Sequence, residues 1–209
     1  MSLARRAAAE GVGTAFLLAA VVGSGIMGER LSGGNTAIAL LANSAATGAA
    51  LVALILALGA AMNPLVTVSD AIRRAIAWRD VAPLVVAQLA GAVLGVAAAN
   101  AMFELPVVSL SQHVREGGGQ LLSEAIATFG LLLVVARARE PALAVGGYVA
   151  AAYWFTASTS FANPAVTLAR SLTDTFAGIR PADVGGFVAA QIAGAGAATA
   201  FGTWIGGKR

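Results

Sequence analysis

Apolar residues run through this chain in long blocks separated by short polar stretches, and the blocks are as long as membrane spans. Six of them reach or approach the ~20 residues a helix needs to cross a hydrocarbon core: residues 7–28, 34–60, 81–103, 119–136, 141–160 and 183–205. The second is the longest, and its helix is expected to begin after Asn43. Two further apolar pieces, one after Asn63 and one after Asn163, are too short to cross and predict re-entrant half-helices. In each, a proline (Pro64, Pro164) falls at the first helical position, where its missing N–H costs nothing. The asparagine before it falls at the N-cap. No ~10-residue segments of alternating polarity appear, so a membrane β-barrel is not predicted. The expectation is an all-α membrane protein with six transmembrane helices and two half-helices.

Composition agrees. Of 209 residues, 58% are hydrophobic and 11% charged, against about 25% charged in soluble domains. Small residues dominate the spans, which suits helices that associate in lipid by close packing. The absence of cysteine removes disulfides, thiol catalysis and Cys-based metal sites, and the single histidine, His113, forms no His cluster. No cofactor or metal is expected. No nucleophile constellation or phosphate loop is present, so an enzyme is not expected either. A formal charge of +3 raises the question of nucleic acid, but the basic residues follow topology instead. With the N-terminus cytoplasmic, the inside segments hold Arg5, Arg6, Arg73, Arg74, Arg79, Arg137, Arg139, Lys208 and Arg209. The outside segments hold only Arg30, Arg115, Arg170 and Arg180. Nine against four satisfies the positive-inside rule. The chain is therefore expected in the inner cell membrane with both termini cytoplasmic.

The chain also repeats itself. Glu10-x-x-x-Thr14 followed by Leu17-Leu18 returns as Glu124-x-x-x-Thr128 followed by Leu131-Leu132. Asn63-Pro64-Leu65-Val66-Thr67 returns as Asn163-Pro164-Ala165-Val166-Thr167, and Ala87-Gln88-Leu89-Ala90-Gly91 as Ala190-Gln191-Ile192-Ala193-Gly194. Residues 1–103 and 119–209 thus form two repeats joined by a linker over 104–118. Each holds three spans, an odd number, so the second enters the membrane upside down. Inversion brings the N-termini of the two half-helices together near the midplane, where non-helical backbone is tolerated only if it is buried or lines a water-filled cavity. Asn63 and Asn163 then face one lumen. Each caps its helix through the side-chain oxygen and keeps its NH2 free to donate into the pore. Both helix ends add positive potential. Neutral acceptor molecules can pass such a site, while protons and cations meet a barrier, the physics ascribed to aquaporin-type pores.

On these residues the chain resembles the aquaporin (major intrinsic protein) family. The carriers are Asn63-Pro64-Leu65 and Asn163-Pro164-Ala165, the Glu10 and Glu124 pair, and the Gln88 and Gln191 pair. The resemblance implies a pore in each subunit of a homotetramer in the lipid bilayer, lined by Asn63, Asn163, Leu65 and Ala165. It implies that Glu10 and Glu124, with Gln88 and Gln191, support the loops ahead of the half-helices. It departs from the family at Leu65, where an alanine is usual, and at Val166, where the family's filter arginine stands. A filter without that arginine is less polar and wider. It points from water alone toward small uncharged solutes: polyols such as glycerol, urea, and undissociated metalloid acids such as arsenite. Thr47 and Ser160 fall near other filter walls by resemblance, and Trp154 and Phe155 are the candidates from the fifth span beside Tyr153. The alternative for these aromatics is an interfacial belt or lipid contact. Arg170, one turn beyond Val166, shares its helix face and leans toward the pore centre, where it restores part of the missing charge. Its alternatives are a pair with Asp174 or a place in water at the mouth. His113 is expected to be solvated. Two other functions use related architectures: a secondary transporter with inverted repeats, and an hourglass anion channel of the formate–nitrite type. The first needs a coupling site, and no unpaired lumenal acid stands out; the paired Asn-Pro boxes argue against the second.

Overall fold

The computed structural model describes residues 1–206 as eight helices, with no strand among the described residues. They are α1 (Leu3–Leu31), α2 (Thr36–Leu58), α3 (Pro64–Ile72), α4 (Trp78–Met102), α5 (Gly118–Arg137), α6 (Pro141–Phe155), α7 (Pro164–Arg170) and α8 (Pro181–Gly206). Lys208 and Arg209, counted above among the cytoplasmic charges, lie outside the described residues. Among the described residues, α1, α2, α4, α5 and α8 are long and apolar enough to cross a membrane. The expected span over 141–160 is shorter: α6 has 15 residues, about 22 Å of helix. It stops where the Thr156 hydroxyl turns back onto the Ala152 carbonyl (2.7 Å). The chain from there to Asn163 is non-helical.

α2 begins at Thr36, ahead of the expected start after Asn43. Asn35 caps it, its Oδ1 accepting from the N–H groups of Ala37 and Ile38. Asn43 sits inside the helix because its amide is spent on α1, donating to the Val21 carbonyl and to Ser24 Oγ, both at 2.8 Å. A polar side chain with partners on the neighbouring helix glues two spans together and does not end one.

The halves are built alike. In the first, α1 lies so close to α4 that a Cβ on Gly91 or Gly95 would overlap the carbonyl oxygens of Gly11 and Ala15. In the second, α5 and α8 meet the same way, with Gly194 against the Ala125 carbonyl. α2 and α6 join the halves at a Gly48–Gly146 crossing, where either Cβ would press the other residue's carbonyl. An Arg6–Asp80 ion pair (3.0 Å) ties α1 to α4 at what we call the terminal end. At the opposite, linker end, residues 103–117 fold back across the bundle. Ser109 and Ser111 donate their N–H groups to the Leu172 and Ser171 carbonyls (3.1 and 3.0 Å).

Candidate functional site

Each half-helix is preceded by a loop held on one carboxylate. Met62, Ser160 and Ala162 take left-handed backbone conformations (φ 52°, 52° and 47°), which L-residues adopt only where surroundings enforce them. In the first loop this aims two successive N–H groups at Glu10: Ala61 to Oε1 and Met62 to Oε2, both 2.7 Å. In the second, Phe161 and Ala162 donate to the two oxygens of Glu124, both at 2.9 Å. Gln88 Nε2 bridges Glu10 to Thr67 (2.8 and 2.9 Å), and Gln191 Nε2 bridges Glu124 to Thr167 (2.6 and 2.8 Å). The buried carboxylates are thus stabilised by charge-assisted bonds of about 1.5–3 kcal/mol each. Neither borders the central cavity.

The two asparagines are bonded to each other's loops. Asn63 Oδ1 accepts from the Leu65 N–H (2.9 Å), and Asn163 Oδ1 from those of Ala165 and Val166 (3.0 and 3.4 Å). Asn63 Nδ2 donates to the Ala162 carbonyl (2.8 Å), and Asn163 Nδ2 to the Met62 carbonyl (2.7 Å). The expectation that the whole NH2 stays free is corrected: one hydrogen of each amide closes the joint between the repeats, and the other is left for the lumen. Leu65 and Ala165 also differ from expectation. They supply capping N–H groups and do not border the cavity, Ala165 being wholly buried.

That cavity, about 240 Å³, runs past both asparagines. Its walls are four-residue stripes: Leu17 and Val21 on α1, Leu131 and Val135 on α5, Leu51 and Ile55 on α2, Val145 and Val149 on α6. A side chain every fourth residue lies on one helix face. Continuing the last two stripes toward the linker end gives Thr47 and Tyr153, whose hydroxyls meet at 3.2 Å. Ser160, Phe161, Val166 and Arg170 close the same end. The Ser160 hydroxyl is buried without a protein partner.

Trp154 and Phe155 are the clearest correction. They are 49% and 56% exposed and off the cavity wall, while Tyr153 is 3% exposed and on it. One residue along α6 turns the side chain about 100° away from the stripe. Trp154 instead donates its indole N–H to Ser44 Oγ (3.0 Å), and Phe155 packs edge-on against Tyr148.

Arg170 neither pairs with Asp174 nor sits in water. It is 1% exposed, its Nε donates to the Ala177 carbonyl, and its guanidinium lies over the Phe161 ring. Asp174 accepts instead from the Gln112 N–H. Two residues had no weight in the sequence beyond charge or hydropathy. Phe161 is the platform for Arg170. Arg115 reaches from the linker to the Gly178 and Ser158 carbonyls (2.7 and 3.2 Å) and faces the same ring. Burial lowers the Arg115 pKa to about 10, so it stays charged at neutral pH. His113 is exposed, as expected, and borders the recess that leads to Arg170. Partial desolvation, then Arg115 and Arg170, hold its pKa below the usual histidine value.

Comparison with known proteins agrees with this geometry. Residues 1–152 match the family described as major intrinsic protein. The chain is 51% identical to aquaglyceroporin AqpS of Rhizobium meliloti (strain 1021), over 97% of this chain and 91% of that one. It is 31% identical to aquaporin NIP6-1 of Arabidopsis thaliana, over 70% of this chain and 48% of that one. The fold is similar to the X-ray structure of the aquaglyceroporin from Plasmodium falciparum, with a TM-score of 0.68, 19% identity, and coverage of 96% of this chain and 94% of that one.

Proposed function

Because the chain belongs to the major intrinsic protein family, we propose that it is a passive channel for water and small uncharged solutes that turns back protons and ions. The observation that carries this is the cavity between the two asparagines. It presents amide donors and two positive helix ends at its centre and apolar stripes on either side. A neutral solute exchanges water for the amides and slides along the stripes. A cation loses its hydration shell and meets the helix N-termini.

Selectivity is placed at the linker end. Val166 leaves the wall apolar where the family's arginine would stand, and Arg170 brings a guanidinium to the same chamber from one turn further on, alongside Thr47, Tyr153 and Ser160. Such a filter admits polyols, urea and undissociated metalloid acids. The name of the Rhizobium relative, an aquaglyceroporin, favours this class.

Both termini are assigned to the cytoplasm, in the inner membrane. Arg6, Arg73 and Arg137 mark the terminal end, where the positive-inside rule looks for the excess of Lys and Arg. Exposed apolar side chains such as Phe16, Leu56 and Val86 supply the surface for lipid and for the subunits of a homotetramer.

The test is stopped-flow light scattering on proteoliposomes with water, glycerol, urea and arsenite. The channel reading expects fluxes linear in the gradient and indifferent to ion gradients. Saturable, ion-driven flux would make the protein a transporter, and ionic currents in planar bilayers would make it an anion channel.

A further inference from the structure

We propose that Asp70 is a second specificity-determining residue of this pore, a binding station for hydrogen-bond donors at the mouth opposite Arg170. The inference rests on the channel reading above. Asp70 stands seven residues after Asn63, and Arg170 seven after Asn163. The two therefore hold the same position, nearly two turns in, on the two half-helices, and both border the one central cavity. Since α3 and α7 run from the middle to opposite ends, the equivalent positions fall at opposite mouths. Arg170 also borders the recess under the linker with His113, and Asp70 the recess at the terminal end with Met1 and Arg6. One pore thus carries a fixed cation at one end and a fixed anion at the other.

The helix itself supplies no reason for an acid at this position. Asp70 lies in the last turn of α3, where the helix end projects negative potential and favours a cation. Arg170, in the last turn of α7, obeys that preference. The Asp70 carboxylate is half-buried and makes no hydrogen bond or ion pair among the described residues. The charged groups around it are Arg73, exposed beyond the helix end, Glu10, another acid, and, across the terminal recess, Met1 and an Arg6 already paired with Asp80. Ionised, it is acceptor-only, and it borders the pore cavity with no protein donor on it among the described residues. The permeating solute is what fills it. A polyol, urea or a hydroxylated neutral acid offers two O–H or N–H donors from one molecule and spans both oxygens. Water offers them one molecule at a time. Asp70 thereby offsets the dehydration of donor-rich solutes at the terminal mouth, while Arg170 closes the linker mouth to cations.

The experiment compares glycerol and water permeability of wild type, Asp70→Leu, Asp70→Asn and Asp70→Glu in proteoliposomes, with guanidinium as a cationic probe on both faces. Wild type without glycerol flux would overturn the channel reading, and this inference with it. Where wild type conducts, Asp70→Leu is expected to lower the glycerol-to-water ratio about tenfold, the worth of one charge-assisted hydrogen bond, and Asp70→Glu to restore most of it. Guanidinium is expected to slow glycerol in wild type and not in the near-isosteric Asp70→Asn, which keeps the test open if the leucine variant does not fold. An unchanged ratio in a folded Asp70→Leu, or undiminished guanidinium block in Asp70→Asn, overturns the role of Asp70 and leaves the channel standing.

Discussion

The guanidinium of Arg170 stands 3.4 Å above the centroid of the Phe161 ring. A desolvated stack of this kind is worth about 2 kcal/mol, and it fixes the plane of the cation beside the cavity. Arg170→Ala is therefore expected to raise glycerol and urea permeability relative to water and to lower the barrier to small cations. Phe161→Leu, which frees the arginine without removing it, is expected to shift both in the same direction by less. Stopped-flow permeability and bilayer currents read the two effects; unchanged selectivity and conductance in Arg170→Ala would remove it from the filter.

Val166 borders the same chamber and is 6% exposed. Val166→Arg introduces a second guanidinium and narrows the wall. Glycerol flux is expected to fall several-fold more than water flux, since the added bulk excludes the wider molecule first. Equal losses of both would count against Val166 as a filter residue.

With no cysteine in the chain, mercurials are expected to leave permeation untouched. Ser160→Cys places a thiol on the cavity wall and is expected to confer rapid, thiol-reversible block. Phe155→Cys, off that wall and off the recess leading to Arg170, is expected to confer none. Block through Phe155→Cys and not Ser160→Cys would reverse the assignment of the α6 face.

Glu124 accepts two backbone N–H groups and the Gln191 amide while wholly buried. Glu124→Gln sets an amide against one of those donors and is expected to cost about 2–4 kcal/mol, read as a lower thermal midpoint in detergent. Glu10→Gln, with the same contacts in the first repeat, is expected to lower the midpoint in the same direction. A tolerant Glu124→Gln with full flux would mean the carboxylate does not hold the loop.

His113, at the linker end, is expected to add a pH dependence to stability. Its folded pKa lies below the ordinary value of 6.5, so on acidification the unfolded chain takes up the proton first and stability falls. This contribution is absent above 6.5 and grows as pH drops toward the folded pKa. Thermal midpoints of wild type are expected to decline over that window more steeply than those of His113→Asn; parallel curves would exclude the histidine as the source.

Polar residues made much of this fold legible. Glu10, Asn63, Gln88 and their counterparts stand out in apolar spans, and their common order gives the repeat, hence the inversion and the meeting of the half-helices. The α6 register was harder. Pro141, Val145, Val149 and Tyr153 form its cavity stripe, but the pore face and the lipid face are both apolar, so hydropathy does not separate them. Only the four-residue step back from Tyr153 marks it. Arg115 left no local signal. Its place depends on the linker folding over the bundle, a long-range event that no short pattern encodes. Asn43 misled because a polar residue near the start of a long apolar run resembles a cap until its partners on α1 are known.

The crossed amides have a consequence for how the protein is made. Asn63 finds its acceptor on Ala162, 99 residues downstream. At ordinary elongation rates that carbonyl emerges roughly 5–20 s later. Glu10 and Gln88 can seat the first loop within the first half, but the asparagine ahead of α3 must wait, its donors occupied by water or lipid carbonyls, until the second half has entered the bilayer from the other side. The lumen is then the last part of the molecule to be completed during biogenesis, and a nascent chain stalled before Ala162 holds half of a channel that conducts nothing.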